Sequence, residues 1–322
     1  MLEMKDKIAV ISGIGGFIGS NLAGLLIEQG TKVTGIPRDL LSNPEKLQTF
    51  LEEVSPNYIF HLAAYGNHHG QDDEDETFSA NVIKTYLLLK ASLNVGYNAF
   101  LNFSTSSVYG ISDEIMKESD ALLTDSFYGC TKVAGEYMAK AITKRFEKPI
   151  CNIRPFSVYG PGEATHRFIP TVIRNIQNDE VIKLYPNAVH DWIYVEDVIE
   201  GVFTILSNIE RCTGNAVNIG TGRQYSNLDV VDKLKALSKK DPKIEMLTGE
   251  RENDTEYIWR ANVSFLQSFG WYPKHTLDEG LAKAYAYYTQ PKEEPTLRDA
   301  FEKSLDMSGQ GGFKNFGKPN KE

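Results

Sequence analysis

The sequence predicts an α/β fold: a doubly wound parallel sheet with a smaller C-terminal lobe. Three observations carry that reading. Short apolar runs alternate with helix-patterned stretches as far as Arg154, the pattern of βαβ units. A glycine-rich turn joins the first run to the first helix. A hydrophobic content of 41% over 322 residues is enough for a large core. The elements follow in order. Lys7–Ser12 reads as the first strand, followed by glycines and a helical pattern to Gly30. Thr31–Ile36 is β-branched and ends at Pro37. Pro44–Val54 reads as a helix capped by Asn43, with proline in the first turn where a missing N–H costs nothing. Tyr58–Ala64 reads as a buried strand, and Thr77–Leu93 as a helix with Val82, Tyr86, Leu89 and Leu93 on its apolar face. Ala99–Ser104, Tyr128–Phe146 and Pro149–Arg154 read as strand, helix and strand. Right-handed crossovers put the helices on both faces.

After Arg154 the pattern loosens. Loops at Tyr159–Gly162, Tyr185–His190 and Gly220–Tyr225 separate short elements. The expected division is a nucleotide-binding domain over 1–158, with 190–220 returning to it through a strand at Ala216–Ile219. Substrate-lobe segments cover 159–290, and 291–322 is a polar, flexible tail.

Composition narrows the function. The 34 Lys+Arg against 43 Asp+Glu give a net charge of −9, the wrong sign for a nucleic-acid surface. No apolar run approaches the roughly 20 residues of a membrane helix, and Met1–Lys7 is too polar for a signal peptide. Cys130, Cys151 and Cys212 form no CxxC pair, which argues against a disulfide framework and a cysteine zinc site. The expectation is a soluble, cytoplasmic enzyme. His68 and His69 lack a third ligand at useful spacing, and Gln71–Glu76 reads as a solvated loop and helix start, so no metal is expected.

Gly13, Gly16 and Gly19 have the GxxGxxG spacing of a dinucleotide turn. The first glycine permits the tight turn, the second lets backbone approach a pyrophosphate, and the third lets helix pack close to strand. After the second strand, the position that holds an acid in an NAD site is Pro37, followed by Arg38 and Asp39. Arg38 suits a 2′-phosphate, so NADP is favoured over NAD, with Asp39 left as an acid one residue late. Tyr128 and Lys132 lie one turn apart on one helix face. An ammonium nearby favours phenolate and lowers the tyrosine pKa, which suits acid/base work on a hydroxyl. Upstream, the hydroxyl cluster Ser104-Thr105-Ser106-Ser107 ends a strand, where such sheets border their ligand crevice.

These pieces, with His61-Leu62-Ala63-Ala64, Asn81, Arg154–Gly162, Asp191–Val198, Asn218–Gly222 and Gly270–Pro273, resemble the extended short-chain dehydrogenase/reductase family, in its nucleotide-sugar epimerase, dehydratase and reductase branch. The resemblance covers about Lys7–Ala284. It implies a Rossmann domain with Thr105, Tyr128 and Lys132 as the catalytic set and Asn81 in support. It implies a cofactor held by Gly13, Gly16, Phe17, Ile18, Gly19, Ala63, Ala64, Ser104, Tyr128, Lys132 and Pro155. Only 22 residues separate Arg38 from His61. That compact segment resembles the 4-keto-sugar reductases such as GDP-fucose synthase, in which Arg38 meets the 2′-phosphate while Asp39 and Leu40 line the adenine. Dehydratases carry Asp-Glu after the catalytic threonine, where this chain has Ser106 and Ser107, and hydroxyls cannot replace a carboxylate base. Ser106, Ser107, Ser157, Arg167, His190 and Arg251 fall on substrate-contacting positions. The implied activity is hydride transfer at C4 of a nucleotide-linked hexose by an NADPH-dependent 4-keto-sugar reductase. A 4-epimerase is the alternative, and a non-catalytic NADP sensor the remote one. Family members dimerise through two helices of the sheet domain, here Thr77–Leu93 and Tyr128–Phe146.

Overall fold

The computed structural model describes residues 3–67, 70–185, 188–247 and 257–290. Arg251, His68, His69 and the expected tail at 291–322 lie outside the described residues. The first half is built as β1 (Ile8–Ser12), α1 (Phe17–Glu28), β2 (Lys32–Ile36), α2 (Pro44–Val54), β3 (Tyr58–His61), α3 (Glu74–Phe78), α4 (Lys84–Ala91), β4 (Ala99–Phe103), α5 (Phe127–Phe146) and β5 (Ile150–Pro155). The second half contains β6 (Ser157–Tyr159), α6 (Phe168–Gln177), β7 (Ile182–Leu184), β8 (Val189–His190), β9 (Trp192–Tyr194), α7 (Val195–Ser207) and α8 (Ile209–Cys212). It continues through β10 (Ala216–Ile219), β11 (Tyr225–Ser226), α9 (Asn227–Ser238), β12 (Ile244–Met246), α10 (Ser264–Gln267) and α11 (Leu277–Thr289).

Six strands form one sheet in the order β10-β5-β4-β3-β1-β2, and every pairing in it is parallel. The chain leaves β1 for β2 at the edge, then crosses to β3 on the other side of β1. That reversal opens a crevice at the carboxyl ends of the strands. Helices α1 and α7 share one hydrophobic cluster with the sheet, and α2, α4 and α5 share the other. The strands are nearly continuous apolar runs because both of their faces are covered.

Local chemistry explains the boundaries. The Asn43 side chain accepts from the Lys46 amide at 3.1 Å and starts α2, and Ser126 caps α5 by accepting from the Gly129 amide at 3.0 Å. The helix expected over Thr77–Leu93 is interrupted by a π-helical turn at Ser79–Ile83, a feature common at functional sites. The strand expected to reach Ala64 stops at His61. Beyond it the chain bends against the glycine turn, with the Leu62 amide donating to the Ser12 carbonyl at 3.1 Å.

The second half is more ordered than its loops imply. Ile169, Val172, Ile173 and Ile176 on α6 pack with Val230, Val231 and Leu234 on α9 and with Leu281 on α11, around Tyr159, Trp192 and Tyr194. Capping boxes at Ser226–Asp229 and Thr276–Glu279 start α9 and α11.

Candidate active site

The glycine turn has the shape its spacing predicts. Gly13 has φ +73°, and a Cβ there would stand 2.8 Å from the Ala63 amide nitrogen. A Cβ on Gly19 would collide with the Gly13 carbonyl, so the helix packs on the turn only with hydrogen at that position. Gly16 precedes α1 with no side-chain cap, and the first turn holds no carboxylate. Its N–H groups and positive dipole end are therefore disposed toward an anion. At the end of β4, Ser104 Oγ is buried without a hydrogen-bond partner among the described residues. A dinucleotide fits this arrangement: a cradle closed to any Cβ, an uncapped helix start and an orphaned hydroxyl. Pro155 is buried at the end of β5, Ala63 lies half-buried against Gly13, and Ala64 is half-buried. Arg38 extends into solvent with 77% of its side chain exposed, 3.9 Å from the Glu76 carboxylate. Asp39 is exposed, and Leu40 packs against the α2–α4 cluster.

Thr105, Tyr128 and Lys132 converge at the end of β4. The Thr105 hydroxyl acts on the half-buried Tyr128 phenol in the direction that favours its ionised form. It also accepts from the Ser107 amide at 3.1 Å and donates to Ser107 Oγ at 3.2 Å. Lys132 is buried, and its Nζ donates to the Phe103 carbonyl at 2.6 Å. Burial pulls its pKa down to about 8, opposed by the carboxylate of Glu136. One expectation needs correcting here. The Tyr128 pKa is raised, not lowered, to about 12: burial outweighs both the Arg167 charge and the Thr105 hydroxyl that oppose it. The cation that favours phenolate is Arg167, while the Lys132 ammonium is committed to a backbone carbonyl.

The predicted substrate positions are partly brought together. Ser106 is buried and Ser107 half-buried beside Thr105. Arg167 precedes α6, donates to the Asn67 carbonyl at 3.1 Å and acts electrostatically on Tyr128. Ser157 and His190 are hydrogen-bonded to each other at 3.2 Å, with the His190 ring 4.9 Å from that of Trp192.

Among His61, Asn81, Arg154, Asp191 and Glu163, only Asn81 is given a role by the sequence, a supporting one. His61 is fully buried between Ser12 (2.6 Å) and Thr85 (2.8 Å). Its pKa falls to about 3 through burial and the nearby Lys132 charge, so it is a neutral strut. Asn81, in the π-helical turn, holds the backbone of Tyr65 by two bonds and donates to Thr131 Oγ1 at 3.0 Å. Arg154 forms a two-pronged buried pair with Glu136 at 2.9 and 2.6 Å and also donates to the Tyr109 hydroxyl at 2.8 Å. That pair helps line a cavity of about 520 Å³ beside α5 and β10, which contains none of the predicted site residues. Asp191 accepts from the amides of Thr221, Gly222 and Ala261. Glu163 is buried, and its Oε2 has no hydrogen-bond partner among the described residues. An isolated carboxylate in sequence gives no sign of such burial.

Residues 9–220 match the model of the NAD dependent epimerase/dehydratase family. The chain belongs to that family. It is an enzyme of the extended short-chain dehydrogenase/reductase type, on the nucleotide-sugar branch. It is 30% identical to MoeE5, whose structure holds UDP-glucuronic acid and NAD, with a TM-score of 0.79 over 87% of this chain and 98% of that one. It is 25% identical to the UDP-glucuronic acid 4-epimerase of Bacillus cereus, solved with UDP-glucuronic acid and NAD, with a TM-score of 0.74 over 88% of this chain and 99% of that one. A trifunctional UDP-glucose 4,6-dehydratase/UDP-4-keto-6-deoxy-D-glucose 3,5-epimerase/UDP-4-keto-L-rhamnose-reductase of Arabidopsis thaliana is 27% identical over 91% of this chain, which spans only 48% of that relative's length. No helix among the described residues is long and apolar enough to cross a membrane.

Proposed function

We propose that the protein is an NAD-dependent 4-epimerase of a UDP-linked hexose or hexuronic acid. The observation that carries the reading is the hydroxyl cluster at the end of β4. The Thr105 hydroxyl acts on the Tyr128 phenol, and the next two side chains are the hydroxyls Ser106 and Ser107 rather than carboxylates. With no acid–base pair behind Thr105, proton abstraction at C5 and loss of water at C6 have no catalyst, while proton exchange at the C4 oxygen has one. The NAD complexes of MoeE5 and the Bacillus cereus 4-epimerase support the cofactor and the substrate class.

NAD would be held by the Gly13–Gly19 turn, Ser104 and Lys132, and would supply a reversible acceptor for the C4 hydride. The chain's own groups handle the proton. Tyr128 removes it from the C4 hydroxyl and returns it to the C4 oxygen after the sugar has turned its opposite face toward the cofactor site. Thr105 bonds the same oxygen, so its contribution grows as negative charge develops there. Arg167 lowers the phenol's proton affinity against the effect of burial. Lys132, fixed on the Phe103 carbonyl, would orient the ribose. Asn81 keeps the Tyr65 loop and the α5 face in register.

The rival reading, an NADPH-dependent 4-keto-sugar reductase, is favoured by Arg38 at the end of β2. An exposed guanidinium at the edge of the crevice can meet a 2′-phosphate. An assay separates the two: an epimerase interconverts C4 epimers with no net change in cofactor, whereas a reductase consumes NADPH one for one. We place the protein in the cytoplasm as a homodimer. Its three cysteines are free, which suits a reducing compartment. The helices expected at the dimer interface expose Phe78, Ile83, Tyr86, Phe127 and Tyr137, and such apolar surface is commonly covered by a partner.

A further inference from the structure

The cavity of about 520 Å³ lies between α5, the loop at 118–122 and the edge strand β10. It reaches Gly214, Asn215 and Ala216, where β10 begins, toward the end of the sheet opposite the cofactor crevice. It shares no residue with the Thr105–Tyr128–Lys132 site, and its volume is that of a small-molecule site. Its floor is buried and polar: Arg154 is 4% exposed and Asn152 5%. Arg154 Nε and Nη2 donate to Glu136, and Nη1 donates to the Tyr109 hydroxyl and the Glu118 carbonyl. A guanidinium has one more N–H, on Nη2, and it has no acceptor among the described residues. Asn152 accepts from Asn102 and gives one amide hydrogen to the Glu136 carbonyl at 3.3 Å. Its second amide hydrogen also has no acceptor among the described residues. Buried donors left unmet are costly, so both call for an acceptor in the cavity.

The walls carry charges without counter-ions. Lys140 on α5 is exposed, and Glu118 and Asp120 stand on the loop. None of the three has an ion-pair partner within 4 Å among the described residues. The two carboxylates are fixed in place: Glu118 Oε1 accepts from the Asn218 amide at 3.0 Å, and Asp120 Oδ2 from the Lys117 amide at 2.7 Å. Half-buried Leu122 and Phe265 add apolar surface to the lining. Donors and an ammonium thus occupy the floor and one wall, and acceptors the other wall.

We propose that this cavity binds a free α-amino acid with an apolar side chain. The ligand's carboxylate meets Lys140 and the spare N–H groups of Arg154 and Asn152. Its ammonium meets Glu118 and Asp120, and its side chain lies on Leu122 and Phe265. Hydrogen bonds to charged groups are the stronger ones, and only a zwitterion makes both sets at once. An amine leaves the buried donors unmet, and an acid leaves the carboxylates unanswered.

Calorimetric titration of the full chain with L-leucine and L-phenylalanine tests this without turnover. The expected result is one saturable site per chain for at least one of the two. The matched amines, 3-methylbutylamine and phenethylamine, and the matched acids, 4-methylpentanoate and 3-phenylpropionate, bind about tenfold more weakly or worse. K140M and E118Q weaken the amino acid by a similar factor. Saturating NAD and UDP-glucuronic acid leave its affinity unchanged, because the cavity contains none of the predicted site residues. No saturable heat from either amino acid up to about 10 mM overturns the proposal. So does an amine or acid that binds as tightly as its amino acid, an affinity that K140M does not change, or displacement by NAD or UDP-glucuronic acid. Lys140 is exposed, so K140M decides the matter if E118Q does not fold.

Discussion

Replacing Lys132 by methionine should remove activity and make the fold more stable. The ammonium is buried, and its pKa is pulled from the ordinary 10.5 to about 8. At about 1.4 kcal/mol per tenfold, holding the charge inside the folded protein costs about 3 kcal/mol at pH 7. Methionine removes that cost with little change in shape. It also deprives the Phe103 carbonyl of its 2.6 Å donor, returning about 1–2 kcal/mol. The net expectation at pH 7 is a gain of about 1–2 kcal/mol, or a melting temperature higher by about 2–4 °C for a chain of this size. The sign with pH is fixed by proton counting. Below pH 8 both folded and unfolded chains hold the proton, and the full cost is present. Between about 8 and 10.5 the unfolded chain still holds a proton that the folded chain has shed. Wild-type stability therefore rises with pH relative to K132M, and the variant's advantage disappears through that window. Urea melts of both proteins at pH 7, 8, 9 and 10 measure it. A stability difference that stays constant across these pH values would refute the reasoning, because it would show that Lys132 is charged at no cost where it sits.

Further outcomes follow from the same geometry. Y128F should lower kcat by roughly 10²–10⁴-fold while leaving NAD affinity unchanged by calorimetry, and unchanged turnover would remove the proposed chemistry. R154M strands the buried Glu136 carboxylate and should cost about 3–5 kcal/mol in a denaturant melt, whereas R154M combined with E136L should recover most of that loss. Equal stability of the single and double variants would contradict the pairing. Calorimetry should show tighter binding of NAD than of NADP, with R38A changing NAD affinity by less than about threefold because Arg38 makes only an exposed contact. A preference for NADP that R38A abolishes would favour the reductase reading.

Much of this protein was legible in its sequence because local chemistry decides it. The glycine turn needs hydrogen at Gly13 and Gly19 whatever the rest of the chain does, and Asn43 and Pro44 announce a helix start by themselves. Tyr128 and Lys132 share a helix face by arithmetic alone. What escaped depends on neighbours far away in sequence. The raised pKa of Tyr128 follows from burial, and the commitment of Lys132 to Phe103 requires α5 to lie against β4. The π-helical turn around Asn81 is set by the Tyr65 loop and Thr131. The lobe helices were hidden between glycine-rich loops, and their core forms only when α6, α9 and α11 meet.

The central claim is that a hydride leaves C4 and returns to C4 while Tyr128 manages the proton. Incubating the enzyme with UDP-glucose or UDP-glucuronic acid deuterated at C4, and locating the label in the product by NMR, tests it most directly. Deuterium retained at C4 of the epimer, with no net cofactor consumed, is the predicted result. Label transferred to C6 or lost to water, or an unepimerised sugar beside oxidised NADPH, would contradict it.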